Sequence, residues 1–190
     1  MTRKAKRIVS FAVALVSILS LTFHTSAHEV SSTRSYRWYN IQNLPVNADR
    51  ISLPASGLMI ERAFNEWNEK TGTTTFHWSS FSNSKVDFVE RETWNSEDDY
   101  IVAVTALRNS GNQWSTDWDP HVDTGFNSGT VDYAIVFMNP AWITAYNTKH
   151  ELGHVLGLGH TTNIPSIMYP KDGVYTSVQQ HDVDDIRNWY

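Results

Sequence analysis

The strongest candidate for chemistry in this chain is the run HELGHVLGLGH at residues 150–160. Residues four apart on a helix lie on one face, so His150 and His154 can direct their rings at a single metal ion. Glu151 follows one residue later and leans over the same site without occupying the metal. This spacing predicts a zinc ion held by imidazoles, with a carboxylate beside it as general base.

A third ligand requires the chain to change direction. In a continuous helix His160 would lie about 15 Å along the axis from His150 and on another face. Gly157 stands where a left-handed residue can end the helix, and Gly159 gives the returning chain further freedom. We therefore predict that His150, His154 and His160 bind the metal and leave a fourth position for water. The alternative, surface histidines on an ordinary helix, does not account for five fixed residues in eleven.

The region after the third histidine strengthens this interpretation. The sequence SIMYP at residues 166–170, taken with the histidine run, resembles the metzincin metallopeptidases, whose HExxHxxGxxH signature is followed by a methionine turn. Met168 matches the turn methionine, and the form MYP is most similar to the matrixins. Weaker likenesses to matrixins are Tyr36-Arg37, AFNEW at residues 63–67 and DDI at residues 184–186.

The resemblance implies an α+β metzincin-like zinc protease domain, with a twisted mixed sheet, an active-site helix, a Met-turn and a C-terminal helix. It also implies an endopeptidase that hydrolyses peptide bonds through a zinc-activated water, with Glu151 as general base. Met168 is expected to pack beneath the site, because a thioether is too soft to be a favoured zinc ligand. Residues 131–138 are expected to form the sheet edge that pairs with substrate, although their near-continuous apolar character suits an interior strand equally.

Further metal ions are less well supported by the sequence. Matrixins carry a structural zinc bound by an HxD pair and two more histidines; His121 and Asp123 match the pair, but the other two histidines are missing between His77 and His150. We therefore expect one catalytic zinc. Ca²⁺ prefers oxygen ligands, and an acidic group is available for it, although a solvated acidic loop explains the same residues. That group consists of Asp117, Asp119, Asp123 and Asp132.

The first 27 residues have the pattern of a signal peptide. Four basic residues precede residue 8, residues 8–23 are uncharged and largely apolar, and Thr25-Ser26-Ala27 offers a cleavage site. A membrane anchor is the alternative, but the run is shorter than the ~20 apolar residues that a span needs. We predict a signal peptide at 1–27, a catalytic domain at 28–190 and a secreted, extracellular protein.

Charge and cysteine content limit the partners. Removing residues 1–27 takes away four basic residues and no acidic one, so the formal net charge moves from −5 to −9. Such a chain disfavours nucleic acid and anionic membrane as partners. The resemblance to the matrixins implies a protein or peptide substrate. The chain has no cysteine, so we expect no disulfide and no cysteine-containing propeptide of the matrixin kind. With no heptad pattern or exposed apolar stripe, we expect a monomer.

The remaining elements must position these residues in one domain. Apolar spacing predicts a helix over 58–70 that ends at Gly72, with Ser56 as its N-cap and a loop over 45–57 before it. Strands are predicted at 35–40, 73–79, 86–90, 101–107 and 131–138, with late helices through the histidines and after Ser177. Strands mixed with one early helix and two late helices indicate an α+β fold.

Two other functions fit the same residues. One is a zinc-stabilised extracellular binding or adhesion domain without turnover, against which the intact Glu151 counts, because a structural site has no use for that carboxylate. The other is a zinc amidase that acts on cell-wall peptide. Cleavage of a protein substrate with and without a chelator separates the first from a peptidase, and peptide profiling separates the second.

Overall fold

The structure is a computed structural model that describes residues 35–52, 54–91, 102–116, 128–161, 165–170 and 174–190. In these residues it has seven strands and three α-helices. The strands are β1 (Ser35–Trp38), β2 (Leu44–Arg50), β3 (Phe76–Trp78), β4 (Val86–Glu90), β5 (Ala103–Asn109), β6 (Trp114–Thr116) and β7 (Ser128–Met138). The helices are α1 (Pro54–Thr71), α2 (Ala145–Val155) and α3 (Gln180–Trp189).

All seven strands belong to one mixed sheet. Its order is β3-β2-β4-β7-β5-β6, and β1 pairs with the first part of β7. Strands β3, β2, β4 and β7 run parallel to one another, and β1 is parallel to β7. Strand β5 is antiparallel to both of its neighbours, β7 and β6. With helices packed beside it, this sheet is the α+β arrangement that the sequence predicted.

Strand β7 lies inside the sheet, so the expectation that it forms the substrate-pairing edge is wrong. It pairs with β5 on one side and with β1 and β4 on the other. Val131, Ala134, Val136 and Met138 are all buried. The near-continuous apolar character of this strand therefore reflects burial within a sheet, which is the alternative reading of the same pattern.

The segment before α1 also differs from its prediction as a loop. Residues 44–50 form β2, between β3 and β4, and α1 begins at Pro54, so Ser56 is a buried helical residue and not an N-cap. Pro45 and Asn47 led the sequence reading to a loop. Leu44 and Val46 nevertheless alternate into the core with no exposed surface, and burial of those two side chains outweighs the weak strand propensity of their neighbours.

The core lies on the face of the sheet that α1 and α2 cover. The predicted apolar stripe of α1 is confirmed: Ile60, Ala63, Phe64 and Trp67 are each at most 4% exposed. Trp67 also donates its indole N–H to the carbonyl of Lys149 at 2.9 Å, which ties α1 to α2. Within the described residues, no helix is both long and apolar enough to cross a membrane.

Candidate metal centre

Helix α2 and the loop after it bring the three predicted histidines together. The Nε2 atoms of His150 and His154 are 3.1 Å apart, and that of His160 lies 3.0 Å from His150 and 3.2 Å from His154. His150 and His154 are buried, whereas His160 is exposed. Among the described residues, these three form the one group of His, Cys, Asp or Glu side chains close enough to share a metal ion.

Hydrogen bonds at the far side of two rings determine their tautomers. The Nδ1 of His150 lies 2.8 Å from the carbonyl oxygen of Ile167, and the Nδ1 of His154 lies 2.8 Å from that of Leu158. A carbonyl only accepts, so in each ring Nδ1 carries the proton and Nε2 presents a lone pair. Two lone pairs therefore face each other at 3.1 Å in a buried site, an arrangement that a cation between them would stabilise.

The charge state and spacing of the rings fit zinc. Burial, together with the neighbouring rings of His154 and His160, lowers the pKa of His150 well below its usual 6.5, so the ring is neutral, as a ligand must be. Nitrogens about 2.0–2.1 Å from a tetrahedral zinc are about 3.3 Å apart. The observed separations of 3.0–3.2 Å are close to that value.

The end of α2 returns the chain to the metal centre as the glycines predicted. Gly157 has φ +94°, and its N–H donates to the carbonyl of His154 at 2.9 Å, while the N–H of Leu158 donates to the carbonyl of Gly153 at 3.0 Å. This pair of bonds is the Schellman motif, which ends a helix at a left-handed residue. It also places the Leu158 carbonyl against the ring of His154.

Two further donors cap the last carbonyls of α2. The indole N–H of Trp38 donates to the carbonyl of Val155 at 2.7 Å, and the hydroxyl of Tyr190 donates to that of Leu156 at 3.1 Å. These carbonyls have no partner within the helix itself. Residues from β1 and from the segment after α3 therefore stabilise the helix that carries the histidines.

Glu151 lies on α2 beside the triad and is held from the sheet. It is 6% exposed, and one carboxylate oxygen, Oε2, accepts a hydrogen bond of 2.6 Å from the hydroxyl of Thr105 on β5. Thr105 is fully buried. The sequence reading missed Thr105, although a polar residue at an inward position between Ala103 and Leu107 was a signal for it.

Comparison with known proteins agrees with this geometry. The sequence profile of the family described as Matrixin matches residues 35–190, which include every described element. The chain belongs to the matrixin family. A 44-residue stretch is also 46% identical to metalloendoproteinase 1 of Glycine max; the match covers 22% of this chain and 14% of that protein. The predicted resemblance to the matrixins is therefore confirmed.

The methionine of this matrixin packs against the helix that carries the histidines. Met168 is fully buried, and a Cβ placed on Gly153 would lie only 2.2 Å from its sulfur. The same Cβ would lie 3.3 Å from the ring of Trp67. Gly153 is therefore small because the turn and α1 both approach α2 at this point, a reason that the histidine spacing alone does not reveal.

The turn is itself held by α3. Asp182 is fully buried and accepts hydrogen bonds from the hydroxyl of Ser166 at 2.6 Å and from the N–H of Ile167 at 3.2 Å. The carbonyl of Ile167 then faces the ring of His150. Asp182 thus orients the ring of His150 through one intervening residue, a role that the spacing of residues in the sequence does not reveal.

Three tyrosines connect the metal centre to the segment after the turn. The ring of Tyr146 lies 6.1 Å from that of His150, and its hydroxyl donates to the carbonyl of Tyr169 at 3.0 Å. Tyr169 packs edge-on against Tyr175 with ring centroids 5.7 Å apart. The three residues form one line of contacts from the ring of His150 to the ring of Tyr175, which we call the tyrosine wall.

The other predicted metal sites receive no support. His121 and the aspartates at 117, 119 and 123 lie outside the described residues. Asp132 is described, is exposed and accepts a hydrogen bond of 3.1 Å from Arg108, so its carboxylate is engaged in an ion pair. The calcium expectation therefore gains nothing from the structure.

Proposed function

We propose that this matrixin is a zinc-dependent endopeptidase in which His150, His154 and His160 bind the metal and Glu151 is the general base. The observation that carries the proposal is the convergence of three Nε2 atoms within 3.2 Å of one another, beside a buried carboxylate. When bound, zinc lowers the pKa of a water molecule and polarises the scissile carbonyl.

The residues around the metal would transfer the proton and hold the reacting groups in position. Glu151 takes a proton from the attacking water and later delivers it to the leaving amine. The hydroxyl of Thr105 holds one of its oxygens at 2.6 Å and so fixes the orientation of the carboxylate. Ile167 and Leu158 keep the protons of His150 and His154 on Nδ1, so both rings remain ligands.

The substrate backbone is proposed to lie along β5 in place of β7. Strand β5 pairs with β6 only at Ala106–Arg108, and within the described part of the chain no strand pairs with the outer side of Ala103–Thr105. The side chain of Thr105 reaches Glu151, so this length of strand passes beside the base. An extended peptide that adds to such an edge gains main-chain hydrogen bonds regardless of its sequence.

Replacement of the base provides the decisive experiment. Glu151→Gln keeps the shape and the Thr105 contact but removes the proton acceptor, so we expect the zinc content to remain stoichiometric while kcat falls about 10³-fold or more. Zinc would be measured by elemental analysis, and turnover on a denatured protein with mapping of the cleaved bonds. A Glu151→Gln protein that cleaves at the wild-type rate contradicts the proposed role.

The same assay tests the two other functions. A wild-type protein that holds zinc and cleaves no protein or peptide would be a zinc-stabilised binding or adhesion domain. Cleavage restricted to cell-wall peptides would indicate an amidase. Internal cleavage of unrelated proteins, abolished by a chelator and restored by zinc, supports the endopeptidase.

We also propose that residues 1–27 are a signal peptide, that residues 28–190 form the catalytic domain and that the protein acts outside the cell. Matrixins are typically extracellular, and the charge and hydropathy pattern of the first residues supports export. Mass spectrometry of protein recovered from the medium would test this. A mature chain that begins at His28 is the expected result, and an uncleaved cell-associated chain would contradict it.

A further inference from the structure

A mostly buried ion pair lies behind the metal centre. Lys149 precedes His150 on α2, but its side chain extends toward α1, where its ammonium contacts the Oε2 of Glu66 at 2.8 Å. The side chains of Lys149 and Glu66 are 10% and 23% exposed. Removing two charges from water is costly, and a well-packed apolar pair is often at least as stable, so stability alone does not explain this pair.

Both partners of the pair bind the backbone of the segment between the turn and α3. The second oxygen of Glu66 accepts a hydrogen bond of 2.8 Å from the N–H of Val178, and the ammonium of Lys149 donates to the carbonyl of Thr176. Lys70, one turn after Glu66 on α1, donates to the carbonyl of Val178. Three backbone groups in residues 176–178 are thus held by charged side chains of the two helices.

The segment held in this way continues directly into the tyrosine wall. Tyr175 precedes Thr176 and packs against Tyr169, which is bonded to Tyr146 beside His150. Val174 before it is 49% exposed, so this end of the segment lies at the surface. A displacement of residues 176–178 would therefore move the ring of Tyr175 relative to the metal centre.

Resting on the proposed peptidase function, we propose that Glu66 and Lys149 are positioning residues that fix residues 174–178 as a wall of the pocket for a substrate side chain. They thereby determine which side chain is accepted beside the scissile bond. Each side chain has a fixed role in its hydrogen bond to the backbone: Glu66 accepts from an N–H, and Lys149 donates to a carbonyl. A reversed ion pair would therefore place a donor opposite the N–H and an acceptor opposite the carbonyl.

Two double variants test whether the donor and acceptor roles of the pair, and not only its packing, hold residues 176–178. Glu66→Leu with Lys149→Met fills the same volume without charge. Glu66→Lys with Lys149→Glu restores an ion pair but reverses it against the backbone. Glu69→Gln, an exposed acidic residue on the same helix, is the matched control.

Two readouts are measured on each full-length zinc-loaded protein. The first is amide hydrogen exchange at Val178, which reports the bond to Glu66 without any need for catalysis. The second is the ratio of kcat/KM for peptides that carry Phe to peptides that carry Ala next to the scissile bond. We expect both double variants to lose protection at Val178 and to change the ratio about tenfold, with zinc stoichiometry and the Glu69→Gln control unchanged.

The proposal is overturned if the reversed pair keeps wild-type protection and wild-type selectivity. Should a double variant fail to fold, Glu66→Met keeps the side-chain length but has no oxygen to accept the Val178 N–H, and it decides the question with the same two readouts: unchanged exchange and an unchanged ratio overturn the proposal. A wild-type protein without any peptidase activity would instead refute the proposed function, while the exchange measurement would still report whether the ion pair holds the segment.

Discussion

The helical half and the loop half of the histidine triad are held in place by different means. His150 and His154 are buried on α2, and each donates its Nδ1 proton to a backbone carbonyl. His160 is exposed and depends on the turn at Gly157 and on the bond from the N–H of Thr161 to the carbonyl of Met168 at 3.2 Å. Helical spacing therefore places two of the rings, and the Met-turn orients one of them through Ile167. The third ring is placed by the turn at Gly157 and by the contact between its loop and the Met-turn.

Removal of a ligand from each half has the largest expected effect and tests this difference. His154→Ala and His160→Ala should both abolish stoichiometric zinc binding and turnover, because three protein ligands are needed. In the metal-free proteins the two should diverge. His154→Ala leaves the Leu158 carbonyl unpaired and should lower the free energy of unfolding by about 1–3 kcal/mol, as measured with urea. If His160→Ala lowered the free energy of unfolding more than His154→Ala does, the proposed difference between the two halves of the triad would be wrong.

Gly153→Ala tests the packing behind the helical half. The added methyl would meet the sulfur of Met168 at 2.2 Å and the ring of Trp67 at 3.3 Å, so we expect a loss of about 1–3 kcal/mol in stability. Gly57→Ala on α1 is the control, since nothing lies within 4 Å of its Cβ position. If the clash is the cause, Met168→Ala should recover part of the loss in the double variant, and strict additivity would rule that cause out.

Gly157→Ala tests the turn on which the loop half depends. An alanine at φ +94° costs about 1–2 kcal/mol, and relief of that strain would move His160 away from the other rings. We expect weaker zinc binding in a chelator competition, with the helical content retained. Wild-type zinc affinity in Gly157→Ala would show that the return of the chain does not need a left-handed residue.

Thr105→Val removes the donor to Glu151 without changing the shape of the side chain. We expect kcat to fall about tenfold, equivalent to one lost hydrogen bond, with KM and zinc content unchanged. Thr105→Ser keeps the hydroxyl and should retain most of the activity. A Val variant as fast as wild type would remove Thr105 from the positioning of the base.

The smallest effect concerns pH. Because burial lowers the pKa of His150 below 6.5 in the folded chain, the unfolded chain binds more protons between that lowered value and 6.5. The free energy of unfolding of the metal-free protein should therefore fall as the pH drops below about 6.5. Urea titrations across this range would measure it, and His150→Asn should flatten the slope. Stability that rises toward acid would contradict a neutral buried ring.

Most of the candidate metal centre could be predicted from the sequence, because the spacing rules that bring its residues together are local. Spacing on one helix places His150, Glu151 and His154, and a glycine marks the turn that returns His160. The partners of these residues could not be predicted in the same way. Thr105 and Asp182 reach the site from β5 and α3, and their roles depend on which side chains the sheet and the last helix bring opposite α2.

The fold was predicted where burial and propensity agree and was missed where they conflict. Strand β4 has the predicted bounds, and α1 has the predicted apolar face. Strand β2 was missed because Pro45, Asn47 and Asp49 obscure the buried Leu44 and Val46. Strand β7 was predicted as a strand, but its position within the sheet was not, because an apolar run does not indicate which strands lie on either side of it.

The caps on the last turn of α2 have a consequence for biosynthesis. Trp38 lies 117 residues before the carbonyl that it caps, and Tyr190 lies 34 residues after its own. During synthesis, all three histidines are therefore in the chain well before Tyr190, whose hydroxyl caps the helix, has been added. Contacts between such distant positions form late, so we expect the nascent chain to remain incompetent for hydrolysis until α3 and Tyr190 have left the ribosome.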